Sequence, residues 1–411
     1  MNKNVAIVIC NYNKQEYVLK CIESVLNSTY KNYDIYVVDN ASTDDSVVCI
    51  KKQFSDKVKL IINKENKGGS GGFNTGIKYV LGKEYEYVYL LDNDVIVDEK
   101  ALECLVDYLD ANQDVGVAGS KIFFMDNPNI VQEFGSFIDF DTFNMRLEER
   151  GKEEFIRKNT IVNCDYVPAC SALIRMKVIE KIGTFNEQYF VYWDDIDFGH
   201  RVRLNGYRVV ANSNSIVWHK GGGTVRSNTF GTYYFWRNRT NFFIKYCEES
   251  QIEKFIGILF DETIKSIYSC NYTGKYSSAK TILLAINDAI DEIGGKAPDG
   301  RIFPIENIEN KNIRDIVNNK KQIGIICNEN FKIINDIINR INEENNVIII
   351  SNEENKIETS NKNIIFTTDV KYVDKCDLKI SVCSHILDIK NIQDDYVSVC
   401  DTHLRAHETK A

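Results

Sequence analysis

Val5-Ala6-Ile7-Val8-Ile9-Cys10-Asn11-Tyr12-Asn13-Lys14 opens the chain with an apolar run that stops at an asparagine. An unbroken apolar run without alternation reads as a strand buried on both faces. A helical pattern from Gln15 to Leu26 follows, then a second strand-like run from Tyr33 to Val38 that ends in Asp39-Asn40-Ala41-Ser42. Ser42 to Asp45 has the Ser-x-x-Asp form of a capping box, with Ser42 as the expected helix cap. The alternation continues with strands at Val58 to Ile62, Tyr87 to Leu91 and Val115 to Ala118, and helices at about Phe73 to Leu81 and Glu99 to Leu109. Such a pattern predicts the α/β class, with a doubly wound, mostly parallel sheet covered by helices on both faces.

Outward from this core the pattern changes. Phe134 to Arg175 is irregular and strand-like, and helices are expected at Asp194 to Leu204, Phe230 to Tyr246, Ile252 to Ile267 and Ala279 to Ile293. Gly294 to Gly300 holds three glycines and a proline and reads as a linker. Beyond it come Ile323 to Cys327, a helix from Phe331 to Ile341, and strands at Val347 to Ile350, Ile364 to Thr367, Lys379 to Val382 and Tyr396 to Val399. This reads as a smaller, Rossmann-like α/β domain. It has no glycine-rich turn after its first strand, so no nucleotide site is assigned to it. The organisation expected is 1–246 for the main domain, 247–299 for a helical extension and linker, and 300–411 for the C-terminal domain.

Composition narrows the partners. With 50 Lys+Arg against 59 Asp+Glu and a net charge of −9, the chain lacks the positive field that nucleic acid requires. Its 12 cysteines include no Cys-x-x-Cys pair, and most lie in apolar runs, which points to a reducing, cytosolic compartment. No signal-like h-region follows Met1, and no run approaches the roughly 20 apolar residues of a membrane span. Peripheral contact at the inner face of a membrane, and homo-oligomer formation, stay open.

In open parallel sheets ligands bind beyond the carboxyl ends of the strands. Here three such ends carry Asn11-Tyr12-Asn13-Lys14, Asp39-Asn40-Ala41-Ser42 and Asp92-Asn93-Asp94. Asn and Asp are also ordinary turn residues. Asp92 and Asp94 together are different, because two close carboxylates repel unless a cation lies between them, and a hard divalent ion is the usual solution. Asn66-Lys67-Gly68-Gly69-Ser70-Gly71-Gly72-Phe73-Asn74-Thr75-Gly76 concentrates glycines ahead of a helix, as a backbone approaching a diphosphate would require. It matches neither a Walker loop nor the dinucleotide fingerprint. Tyr189-Phe190-Val191-Tyr192-Trp193 runs into Asp194, Asp195 and Asp197, a pairing of rings and acids that suits a sugar. His219 ends a strand before Gly221-Gly222-Gly223 and is a candidate third metal ligand.

This ordered set resembles the family 2 inverting glycosyltransferases of the single-Rossmann (GT-A) fold over roughly residues 4 to 246, and most closely their galactofuranosyl and rhamnosyl branch. The resemblance implies that Asn11 and Asp39 hold the nucleoside, and that Asn66, Gly69 and Asn93 belong to the donor pocket. It implies that Asp92, Asp94 and His219 bind Mn²⁺ or Mg²⁺, with Asp92 facing the ribose or the ion. Asp195 would be the catalytic base, Trp193 and Asp194 (or Asp197) would meet the acceptor, and Arg237 of Tyr233-Tyr234-Phe235-Trp236-Arg237-Asn238 would approach the phosphates. The implied donor is a UDP- or dTDP-linked sugar such as UDP-galactofuranose, dTDP-rhamnose or a UDP-hexose. The implied acceptor is a glycan, lipid-linked or glycoprotein hydroxyl. Lys14 stands where the family commonly has an Arg, so a base contact is replaced or lost. Competing readings are a sugar nucleotidyltransferase, disfavoured because no glycine follows the first strand, and a non-catalytic nucleotide-sugar-binding scaffold.

Overall fold

The computed structural model describes residues 4–154, 159–221, 227–305, 320–327, 331–338, 345–350, 363–383 and 396–400. Gly222, Gly223 and the expected end of the helix at Ile341 lie outside them. The chain divides into two units, residues 1–306 and 307–411.

The first unit runs β1 (Val5–Asn11), α1 (Gln15–Leu26), β2 (Tyr33–Asp39), α2 (Ser46–Phe54), β3 (Val58–Ile62), α3 (Gly68–Val80), β4 (Tyr87–Asp92), β5 (Val95–Val97), α4 (Ala101–Ala111) and β6 (Val115–Phe124). It continues with β7 (Val131–Glu133), β8 (Ser136–Asp139), β9 (Asn144–Leu147), β10 (Ile161–Cys164), β11 (Ser171–Arg175), α5 (Met176–Ile182), α6 (Asp194–Leu204) and β12 (Arg208–His219). Three helices close it: α7 (Phe230–Tyr246), α8 (Glu249–Tyr272) and α9 (Tyr276–Ile290). Ten strands form one sheet in the order β10-β12-β6-β11-β4-β1-β2-β3, with β5 added to β12 and β7 to β6. β1 to β4 are parallel, β12 is parallel to β6, and β11 is antiparallel to both its neighbours. The expected class is the observed one.

Both faces of β1 are buried, which accounts for its unbroken apolar run. Val5, Ile7 and Ile9 pack with α1 and α4 through Val18, Ile22, Leu102 and Leu105. Ala6 and Val8 pack on the opposite side with α3, α5 and α6 through Phe73, Ile77, Val178 and Phe198.

Two local expectations change. Ser42 does not cap α2, which begins at Ser46; the Ser42 hydroxyl instead accepts from the Asn13 amide at 3.0 Å and faces Asn11. Asp44 takes the capping work for two helices, accepting from Ser46 N at 3.1 Å and from Gln15 N at 3.0 Å. The glycine segment is no open loop: α3 starts at Gly68, and the glycines are its buried face. A methyl group on Gly76 would stand 2.3 Å from Val8 Cγ1, and one on Gly72 2.3 Å from Cys10 Sγ. Helix and strand therefore touch backbone to side chain, with no room between them.

The segment read as a linker is anchored. Gly295 N donates to Gln188 O at 2.6 Å, and Ala297 N donates to the Tyr234 hydroxyl at 2.8 Å. The second unit contains β13 (Gln322–Cys327), α10 (Phe331–Ile338), β14 (Asn346–Ile350), β15 (Ile364–Thr367), β16 (Leu378–Cys383) and β17 (Tyr396–Cys400). Its sheet is all parallel, in the order β15-β14-β13-β16-β17. Among the described residues no helix is long and apolar enough to cross a membrane.

Candidate active site

Strand register brings the polar ends together. Asn11 pairs with Asp39 across β1 and β2, and Cys10 pairs with Asp92 across β1 and β4. The chain then turns through Asn93 and Asp94 into β5, which runs antiparallel to β12 and sets Val95 opposite His219. The Lys220 amide closes the turn on Asp94 O at 3.1 Å.

His219 Nε2 lies 3.3 Å from Asp94 Oδ1 and 3.7 Å from Asp92 Oδ2. One ligand atom from each of these three residues lies within 4.8 Å of the others. Two carboxylates and an imidazole at that spacing form an oxygen-rich set suited to a hard or borderline divalent ion such as Mn²⁺ or Mg²⁺. Asp94 is nearly buried, at 4% side-chain exposure, with the Lys14 ammonium 2.6 Å from its Oδ2. Burial alone would raise its carboxyl, but His219 and Lys14 outweigh that and hold it far below the usual range. His219 moves up in turn: burial lowers it, while the bond to Asp94 and the charge of Asp92 prevail.

Two cavities adjoin here. The first, about 300 Å³, is lined by Tyr12, Lys14, Asn40, Asn66, Gly68, Gly69, Asn93 and Asp94, with Phe230 at its edge. The second, about 290 Å³, is lined by Gln132, Glu133, Tyr166, Trp193, Asp194, Asp195 and Phe235. Asp92, His219, Gly69, Val191 and Tyr192 belong to both walls.

Of the residues expected at a donor site, Asn66, Gly69, Asp92 and Asn93 line the first cavity. Asn11 and Asp39 lie behind it, at 0% and 1% exposure. Asn11 Nδ2 donates to Asp39 Oδ1 at 3.0 Å, and Asn11 Oδ1 accepts from Asn93 Nδ2 at 2.8 Å. Both residues thus brace the lining instead of forming it. Asn40, not singled out in the sequence, takes a larger part. It donates to Gly68 O at 2.9 Å and Asn66 Oδ1 at 3.0 Å, and accepts from Lys67 N at 3.1 Å.

In the second cavity Asp195 Oδ1 accepts from Ile196 N at 2.9 Å. Burial, and then the charge of Asp92, push its carboxyl up to about 6 against the lowering bonds from Ile196 and Ala169. Asp194, 7% exposed, is raised further, by burial and then by Asp195. Asp197 points away and is consumed by Arg201 at 2.7 Å, Tyr246 at 2.8 Å and Lys245 at 3.0 Å. Trp193 touches the cavity but is 1% exposed and packs among Phe235, Phe242 and Phe243. Glu133 escaped the sequence reading because it sits on a three-residue strand in the irregular region, with no motif around it. Burial pushes its carboxyl up to about 7, with Asp195 adding to the effect and the Ser136 hydroxyl opposing it.

Arg237 does not reach the cavities. It is fully buried and donates to Gln188 O and Tyr189 O at 3.1 Å and to Gly295 O at 2.8 Å. Beside it, Asn238 Nδ2 meets the carbonyls of Tyr189, Val191 and Tyr192 at 2.8 to 2.9 Å. These two residues of α7 clamp a segment in which Phe190, Tyr192 and Trp193 all have φ between 61° and 67°. Non-glycine residues rarely adopt that conformation without such support. The clamped segment lines both cavities and delivers Asp194 and Asp195 to the start of α6.

Residues 6–183 match the family model "Glycosyl transferase family 2". The match runs from β1 to the end of α5, less than half of the chain. The matched stretch contains the first cavity's strand ends and Glu133, while Asp195 and His219 follow it. The chain is 28% identical over 239 residues to glycosyltransferase GlyG of Streptococcus pneumoniae, a match covering 56% of this chain and 75% of that one. It is 31% identical over 120 residues to an uncharacterized glycosyltransferase of Haemophilus influenzae, covering 29% and 36%. The matched stretches thus span three quarters of one relative and about a third of the other. Among solved structures it is similar to GalNAc-T7 with UDP, GalNAc and Mn²⁺, at 12% identity and a TM-score of 0.47, over 71% of this chain and 55% of that one.

Proposed function

We propose that the protein is an inverting glycosyltransferase that moves a sugar from a nucleoside-diphosphate donor to a hydroxyl of a glycan acceptor. The observation that carries this reading is the pair of adjoining cavities sharing Asp92 and His219, with Asp94 and Lys14 on one side and Asp195 on the other. A donor in the first cavity and an acceptor in the second would meet at that shared wall.

Asp92, Asp94 and His219 would hold a divalent cation, which supplies charge neutralisation for a diphosphate leaving group. The chain's own groups do the rest. Asn40 and Asn66 fix the turn into α3 against the donor. Asp195, oriented by Ile196 N, accepts the proton of the acceptor hydroxyl as that oxygen bonds to the anomeric carbon and the bond to the diphosphate breaks. A base raised to about 6 is still ionised at neutral pH and strong enough to take the proton as it is released. Asp194, raised further, serves as a hydrogen-bonding partner for the acceptor sugar, and Tyr192 and Trp193 give its ring a flat wall. UDP-galactofuranose, dTDP-rhamnose and UDP-hexoses are the donors proposed, for acceptors in surface polysaccharide or glycoconjugate synthesis.

Calorimetric titration with UDP and dTDP, each with and without Mn²⁺, tests the reading without knowledge of the acceptor. Metal-dependent binding of one nucleotide, lost in Asp94→Ala, is the result expected. Failure of both nucleotides to bind under any condition overturns the donor site.

A further inference from the structure

We infer that Lys14 is a tethered counter-cation that weakens binding of a free divalent ion at Asp92, Asp94 and His219 and favours binding of the ion together with a nucleoside diphosphate. The inference rests on the proposed function in taking those three residues as a cation site. It goes beyond it in assigning the order and the energetic source of assembly.

Both oxygens of Asp94 are already engaged, Oδ2 by Lys14 Nζ at 2.6 Å and Oδ1 by His219 Nε2 at 3.3 Å. The base of the Lys14 side chain is fixed, since Lys14 immediately precedes α1 and its carbonyl accepts from Tyr17 N at 3.1 Å and Val18 N at 3.0 Å. Lys14 lines the first cavity with Asn93 and Asp94, and its side chain is 26% exposed. Lys14 therefore faces two ways, toward a metal ligand and toward the space proposed for the donor.

The charges decide what this does. Two carboxylates and one ammonium, with the imidazole neutral as metal ligation would require, sum to one negative charge. A divalent ion would turn the cluster to one positive charge, with the ammonium 2.6 Å from Asp94, one of the groups that would hold the ion. Repulsion at that range in a partly buried site is large, so a lone ion must drive the ammonium off Asp94 or bear its field. A diphosphate would reverse the balance, because its negative charge would offset that of the ion and its oxygens could accept from the ammonium. Metal and nucleotide then bind with positive coupling, and the coupling is the same whichever ligand is added first. A side chain without charge at position 14 would leave a neutral cluster after metal binding, with a higher affinity for the ion alone and less attraction for the diphosphate.

The test uses the full chain as wild type, Lys14→Met and Lys14→Arg, with Asp94→Asn as the site control and melting temperature as the check on folding. Binding of Mn²⁺ alone is followed by the paramagnetic resonance of the free ion, and binding of UDP and dTDP by calorimetry at saturating Mn²⁺. Lys14→Met is expected to bind Mn²⁺ alone about tenfold or more tightly than wild type, and to lose about tenfold in nucleotide affinity. Lys14→Arg is expected to follow wild type in both. Equal Mn²⁺ affinity in Lys14→Met and wild type overturns the inference while leaving the proposed function standing. Unchanged nucleotide affinity in Lys14→Met overturns the diphosphate half. If no variant binds Mn²⁺, with or without nucleotide, the cation site itself falls, and this inference with it.

Discussion

Replacing Asp194 by asparagine removes a buried ionisable group while keeping the shape of the side chain. Asp194 is 7% exposed, and burial, followed by the charge of Asp195, pushes its carboxyl from 3.8 up to about 8. Above its ordinary value the unfolded chain releases this proton while the folded chain keeps it, so stability falls as the pH rises through that window. Each pKa unit corresponds to about 1.4 kcal/mol, and roughly three units separate the ordinary value from neutrality, giving an upper figure of about 4 kcal/mol. Water in the adjoining cavity screens part of the charge, and about 2 kcal/mol is the gain expected for Asp194→Asn near pH 7. For a domain of this size each kcal/mol raises the melting temperature by roughly 2 °C, so the variant should melt about 4 °C higher. The assay is scanning calorimetry of wild type and variant in EDTA from about pH 4 to about pH 8. The advantage should become small at about pH 4, where the unfolded carboxyl is already close to half protonated. Equal melting temperatures at neutrality, or an advantage that persists unchanged in acid, would refute the reasoning.

Four further outcomes are expected. Asp195→Asn should lower turnover by about 10² to 10⁴-fold, the usual weight of a general base, while nucleotide affinity by calorimetry stays at the wild-type value; a comparable loss of affinity would remove Asp195 from the chemistry. In wild type the rate should decline as the pH drops through about 6, where Asp195 takes up a proton, and a flat profile there would argue for another base. Gly76→Ala sets a methyl group 2.3 Å from Val8 Cγ1 and 3.1 Å from Val38 Cγ2, which should destabilise by about 1 to 3 kcal/mol in denaturant titration. Asn238→Asp would turn a carboxylate toward three carbonyl oxygens, and should lower nucleotide affinity by loosening Tyr189 to Trp193; unchanged affinity would show that Arg237 holds the segment alone.

The sheet was readable because its signal is local. Apolar runs that end in Asn or Asp mark both a strand and the level at which it surfaces, and Asn11, Asp39 and Asp92 do meet at one edge. The part played by the glycines from Gly68 to Gly76 was not readable, since glycine supports either an open loop or a helix pressed against a strand. Only the positions of Val8 and Cys10 across the contact decide between them. Asn11 and Asp39 illustrate a second limit: the sequence places a side chain at a strand end but does not say whether it faces a cavity or a neighbour. Arg237 illustrates a third, because a guanidinium can serve a phosphate or a row of carbonyls equally well, and the carbonyls come from a segment some fifty residues away. Glu133 carried no signal at all, as what raises its carboxyl is burial in the folded chain, with Asp195 adding to it.

The asparagine brace behind the first cavity also bears on folding. β1, Ile35 to Val38 of β2 and Tyr87 to Leu91 of β4 are buried on both faces, so over these stretches no alternation of polar and apolar residues tells one register from the next. What distinguishes the native alignment is where the polar residues fall, with Asn11 against Asp39 and Asn93 against Asn11. A slip of one residue would sever these contacts and bury a carboxylate among side chains with nothing to offer it. The groups gathered for ligand binding therefore act also as the alignment mark of the sheet, and damage at Asn11 would be felt during assembly of the chain before any substrate is met.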